Sequence, residues 1–208
     1  MKLTVSLLVF VLLVGLGSLV MLKPESGVVA SGKTSAPAAN VDPNNVNIKP
    51  LELPLVEPRI EVSKSKRELR LYSAGKVVRV YRVGLGSNPN GDKTVQGDGR
   101  TPEGEFFVCS KNPKSNYYLS LGLSYPNEED AERGLRDKLI SKAVRDQILR
   151  SISARACPPW NTRLGGEVFI HGNGSATDWT LGCVALDNAN MKELFEAIPK
   201  GTPVKIKP

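Results

Sequence analysis

Six prolines (Pro24, Pro37, Pro43, Pro50, Pro54 and Pro58) fall between Lys23 and Pro58, among Ser, Ala, Asn and Gly. Proline fixes φ and removes a backbone donor, so neither a helix nor a central strand runs through such a stretch. Residues 23–58 therefore read as a linker, which as a flexible coil spans on the order of 30–35 Å. Its last part, Leu51 to Val56, is apolar enough to pack on whatever follows. This break confines the fold to residues 59–208, the length of one ordinary domain.

Ahead of the linker, Leu3 to Leu22 is a run of 20 residues without a charge, preceded by Lys2. That length spans a bilayer as a helix and exceeds the usual core of a cleavable signal. Val28-Val29-Ala30 is the competing cleavage site; the length of the run favours an uncleaved anchor over residues 1–22. Either reading exports the rest of the chain. The formal charge of +7 is spread thinly, with no Lys/Arg block of the kind that marks a nucleic-acid arm. It fits an anionic wall polymer or a membrane surface equally well.

From Arg59 the pattern is strand-rich. Arg59 to Val62 and Glu68 to Tyr72 alternate, Ser73-Ala74-Gly75 is a turn signal, and Lys76 to Val83 is a β-branched run, together a hairpin or small meander. Gly84 to Asp92 leaves the sheet as a loop. Glu105 to Cys109 is a further strand. Asn127 to Ala154 is helical in pattern, with Asn127 as N-cap, three acids in the first turn and Gly134 as a dividing point. Gly166 to His171 reads as a buried strand, Asp187 as the cap of a short helix to Ile198, and Thr202 to Ile206 as a final strand. The fold class expected is α+β, β-rich.

The chemistry concentrates in one stretch. His171, the only histidine, ends an apolar run, and Cys183 follows Gly182 twelve positions later. A free thiol has a pKa of about 8.5 and is a poor nucleophile at neutral pH unless a neighbouring base takes its proton. Against this stands the plain alternative of a core histidine and a small buried thiol. Gly172, Gly174 and Gly182 let the backbone turn tightly and approach a substrate. Three cysteines with one histidine, spaced 109, 157 and 183, supply no close ligand pair, so no metal site is expected. Cys109 and Cys157 are either a disulfide or two separate thiols.

Ile170-His171-Gly172, followed by Thr180-Leu181-Gly182-Cys183-Val184-Ala185-Leu186-Asp187-Asn188, resembles the signature of YkuD-type L,D-transpeptidases. Thr101-Pro102-Glu103-Gly104-Glu105-Phe106 is similar to the family's Thr-Pro-x-Gly-x-Phe stretch, and the early hairpin ending in Gly84-Leu85-Gly86 to its opening strands. The resemblance covers roughly Arg59 to Pro208. It implies a mixed β-sandwich or barrel with a few helices. The family's common Ser/Thr-His-Gly-Cys pattern has Leu181 here in place of its second histidine, and Ala185 in place of Arg or Asn. These departures, with the short His171–Cys183 spacing, resemble the divergent, YafK-like branch.

The resemblance implies an exported enzyme without a cofactor that acts on peptidoglycan stem peptides in the bacterial cell envelope. Cys183 would be the nucleophile, His171 the general base and acid, and the Gly172 carbonyl the group that orients the imidazole. Gly182 and Cys183 N–H groups are the oxyanion candidates. Thr180, Leu181, Asp178 and Trp179 are the substrate-contact candidates, Trp179 as a wall and Asp178 as a partner for a cationic amine, with loop packing and turn capping as their alternatives. Tyr117, Tyr118 and Tyr125 shape a lid or, the favoured reading, pack core and edge. The thioester would pass to an amine, as a transpeptidase, or to water, as an L,D-carboxypeptidase or amide hydrolase. A non-catalytic wall-binding module and a cytosolic redox sensor are the readings from other classes.

Overall fold

The protein is described by a computed structural model covering residue 47 and residues 49–208. The apolar run Leu3–Leu22 and most of the linker lie outside these residues. Among the described residues no helix is long and apolar enough to cross a membrane.

Strands β1 (Arg59–Ser63), β2 (Glu68–Ser73) and β3 (Lys76–Arg82) form an antiparallel meander. Then come β4 (Gly104–Ser115), β5 (Tyr118–Leu123), helices α1 (Glu128–Arg136) and α2 (Lys142–Ser153), β6 (Phe169–His171), β7 (Val184–Ala185), α3 (Asn188–Ala197) and β8 (Pro203–Lys207). The eight strands make one mixed sheet in the order β3-β2-β1-β8-β4-β5-β6-β7. The last strand thus sits in the middle, parallel to β1 and antiparallel to β4. β6 and β7 are the second parallel pair.

The sheet curls until its two edges meet. Gly84, just past β3, exchanges hydrogen bonds with Ala185 of β7: the Gly84 N–H donates at 2.9 Å and the Ala185 N–H at 2.8 Å. Only glycine fits there, because a Cβ on Gly84 would lie 2.3 Å from the Thr177 carbonyl oxygen. The loop expected at Gly84–Asp92 therefore starts as the seam of a barrel-like closure.

Period-2 alternation explains the core. Ile60 and Val62, Leu69 and Leu71, Val204 and Ile206 point inward and are buried, as are Ile170, Val184, Met191 and Leu194. Each such side chain contributes roughly 1.5–3 kcal/mol on burial. Leu51 and Leu55, from the end of the linker, pack against this core, while Leu53 and Val56 stay exposed.

The helical segment divides later than its glycine suggests. Gly134 lies inside α1, where Leu164 packs against it, and the break falls at Asp137–Ile140, with Lys138 at φ 58°. Asn127 and Asp130 form a capping box for α1, and the Ser141 hydroxyl accepts from the Val144 N–H to start α2. Ala131, Ile140, Ile148 and Leu164 make a small separate core between the helices. Cys109 in β4 and Cys157 after α2 are joined as a disulfide, which settles the open alternative and staples the helical pair to the sheet. β5 was not expected; its Tyr-Leu-Ser-Leu-Gly-Leu run pairs β4 on one side and β6 on the other.

Candidate active site

The β6–β7 register decides the site. Ile170 pairs with Val184 and His171 with Ala185, so Cys183 sits across from Phe169. Side chains alternate, which puts His171 and Cys183 on one face, one strand over and two residues along. Strand spacing then places their Cα atoms about 8 Å apart. Both line a single cavity of about 700 Å³, with Tyr117, Trp160, Glu167, Trp179 and Lys93 among its walls.

His171 is buried, and its Nδ1 lies 2.7 Å from the Gly172 carbonyl oxygen. A carbonyl only accepts, so Nδ1 carries the proton and Nε2 keeps its lone pair. Burial lowers the imidazole pKa below its ordinary value, and the Gly172 carbonyl partly offsets that. Gly172 is itself hemmed in: a Cβ would stand 2.5 Å from Asn188 Oδ1.

Cys183 is the one free cysteine and is half-buried. Its Sγ accepts from the Phe169 N–H at 3.4 Å and donates to the Glu167 carbonyl at 3.5 Å. Burial pushes the thiol up to about 11, against lowering by the Phe169 N–H and the Lys93 charge. The resting pair is therefore neutral thiol and neutral imidazole. No hydrogen bond joins them among the described residues; such bonds commonly tighten only when substrate is bound.

The Thr180–Cys183 turn holds its own shape. The buried Thr180 hydroxyl donates to the Cys183 carbonyl at 2.8 Å and accepts from the Gly182 N–H at 3.1 Å. The Gly182 N–H, an oxyanion candidate, is thus occupied, whereas the Cys183 N–H donates to no described residue. Thr180 is further tied to Leu85 and Ser87 through its backbone. Leu181 projects from the turn, 84% exposed at the cavity rim.

Asp178 does not line the cavity. It receives Arg67 on both oxygens and the Leu85 N–H at 3.0 Å, and so pins the loop ahead of Thr180 to the β1–β2 turn. Both of its oxygens are thus engaged by groups of the fold itself, with an arginine and a backbone N–H outside its own turn as partners. Trp179 does line the cavity, 38% exposed, with its Nε1–H on the Gly174 carbonyl and its ring edge-on to His171. Asp187 starts α3 without capping it; its carboxylate takes the Ser175 N–H and hydroxyl instead.

Tyr117 corrects the favoured reading of the tyrosines. It stacks on His171 with ring centroids 4.7 Å apart, touches Trp179 at 5.8 Å and remains 46% exposed. Tyr125, by contrast, is core, its hydroxyl on the Leu164 carbonyl. Lys93, Glu167 and Trp160 also escaped the sequence reading, since nothing local in the chain marks them. Among the described residues no group of His, Cys, Asp and Glu is placed to hold a metal.

The mixed sheet of eight strands with helices α1 to α3 is the fold of an L,D-transpeptidase domain. The model of that family, the YkuD L,D-transpeptidase catalytic domain, matches residues 57–206, and the chain belongs to this family. The chain is similar to YafK of Escherichia coli strain K12, 25% identical over 146 residues, which is 67% of this chain and 46% of that protein. It therefore spans about half the length of that relative. Among solved structures it is similar to a variant of the helical cell shape determining protein Pgp2 from Campylobacter jejuni, at 25% identity and a TM-score of 0.50, over 74% of this chain and 47% of that one. It is also similar to an L,D-transpeptidase from Xylanimonas cellulosilytica, at 18% identity and a TM-score of 0.44, over 76% and 64% of the two chains.

Proposed function

We propose that the domain is a cysteine acyltransferase that remodels peptidoglycan by opening an amide at the L-centre of the third-position diamino acid of the stem peptide. The observation that carries this reading is the pairing of His171 and Cys183 on one face of β6–β7, inside one cavity, with Nε2 free to act as base.

His171 Nε2 takes the thiol proton as Cys183 Sγ attacks the stem carbonyl. The tetrahedral oxyanion forms within reach of the Cys183 N–H, a contribution of a few kcal/mol for such a donor. The C–N bond breaks, the imidazolium gives its proton to the leaving amine, and a thioester remains on Sγ. An incoming amine, losing its proton to His171, then forms the new amide and frees the thiol. Water in place of the amine gives a carboxylic acid, the L,D-carboxypeptidase or amide-hydrolase outcome. Leu181, bare at the rim where the family's common pattern has histidine, takes a titratable side chain out of the turn itself, and this favours hydrolysis as the second reading.

The similarity to a cell shape determining protein supports a role in the cell wall. The disulfide supports an oxidising compartment, since such bridges persist outside the cytosol. Together with the apolar run Leu3–Leu22 they support an exported domain, tethered to the inner membrane and facing the periplasm.

The test is to incubate residues 47–208 with a disaccharide-tetrapeptide and read products by mass spectrometry beside Cys183→Ala. Loss of D-alanine with cross-linked dimers is the expected result; loss without dimers assigns the hydrolase. A substrate left intact by the native domain defeats the donor assignment.

A further inference from the structure

Lys93 is the buried cation of the site and has no role in the steps above. Its ammonium donates to Asp98 Oδ1 at 2.8 Å and to the Val95 carbonyl at 3.2 Å. An ammonium has three protons, and the third has no partner among the described residues. Asp98 is locked in turn, with Oδ2 taking the Thr94 and Val95 N–H groups and Oδ1 the Arg100 N–H. The Lys93 backbone carbonyl accepts from Arg133 of α1. The side chain thus reaches the cavity wall from a loop braced on both sides.

Its head lies under the catalytic turn. A Cβ built on Gly182 would stand 3.8 Å from Nζ, and Gly182 adjoins the nucleophile. Turn and lysine line the same cavity. The groups that bear on Cys183 from the surrounding elements are Lys93, Glu167 and His171; of these, only Lys93 is a fixed cation. A buried, unhydrated charge acts more strongly over such distances than an exposed one.

We propose that Lys93, held by Asp98, is a positioning residue that stabilises negative charge on Cys183 Sγ as the thiolate forms. The inference rests on Cys183 being the nucleophile. It gives an electrostatic function to a site in which the Gly182 N–H is spent on Thr180.

Iodoacetamide alkylation of Cys183, followed by intact mass as a function of pH, tests it without any peptidoglycan. In Lys93→Met the pH–rate profile should move to higher pH, with alkylation at pH 8 about tenfold slower, while Lys93→Arg should restore most of the rate. The double variant K93M/D98N removes both charges, keeps the packing volume and should still alkylate more slowly than the native domain, though faster than Lys93→Met, which leaves the Asp98 anion unpaired. Neutral variants that melt like the native domain and keep its profile overturn the proposal. A native domain whose alkylation depends on Lys93 but which turns over no stem peptide keeps this inference and sinks the functional reading instead.

Discussion

His171 carries both the base and the pH dependence of the proposed reaction. Its pKa is lowered by burial, so the neutral, competent form persists to lower pH than for a free imidazole. Turnover should fall only as pH drops through that lowered value, placing the acid limb of a kcat/KM profile below the ordinary imidazole range. Tyr117 supplies part of the burial. Tyr117→Ala should let water reach the ring, move the acid limb back up toward the ordinary value and lower kcat/KM by up to about tenfold through looser orientation. Tyr117→Phe should leave both unchanged, and an alanine variant with the native profile would remove Tyr117 from the account. The His171 and Cys183 pairing was legible in sequence because a sole histidine at a strand end and a Gly-Cys pair are local marks. Tyr117 and Lys93 were not, because stacking and through-space charge depend on strands and loops that meet only in the fold.

Among the elements, the meander β1–β3, the short helix α3 and the final strand could be read directly, because β1 and β8 alternate strictly, β2 nearly so, β3 is a β-branched run and α3 spaces Met191, Leu194 and Ala197 on one face. β5 could not, since its Leu-Ser-Leu-Gly-Leu run fits a strand and a loop equally until β4 and β6 flank it. The α1–α2 boundary was misplaced for a related reason: Gly134 gives Leu164 room to pack, which is a demand of the tertiary structure. The seam between β3 and β7 is sensitive to substitution. Gly84→Ala drives a Cβ into the Thr177 carbonyl, backbone that cannot swing aside, and should cost about 1–3 kcal/mol as overpacking does. Since the other side of the seam is Ala185, two residues beyond Cys183, the proposed activity should fall with stability. Urea unfolding beside a turnover assay measures both, and a variant as stable as the native domain would show that the edges can part.

For the molecule as a whole, the disulfide between Cys109 and Cys157 closes a loop of sequence separation 48. Loop-closure entropy assigns it about 4 kcal/mol. The paired variant Cys109→Ser/Cys157→Ser should lose most of this in thermal or denaturant unfolding, with the cavity residues left in place. An unchanged melting temperature would mean that the small helical core suffices to hold the helices on the sheet. The position of β8 has a different consequence. Residues 203–207 lie between β1 and β4, so a chain still lacking them exposes two unpaired strand edges at the centre of its sheet. Contacts of such long sequence separation form late. During synthesis, then, the thiol at position 183 emerges well before the sheet that aims it can close. The cavity around His171 and Cys183 can therefore close only once residues 203–207 have taken their place between β1 and β4.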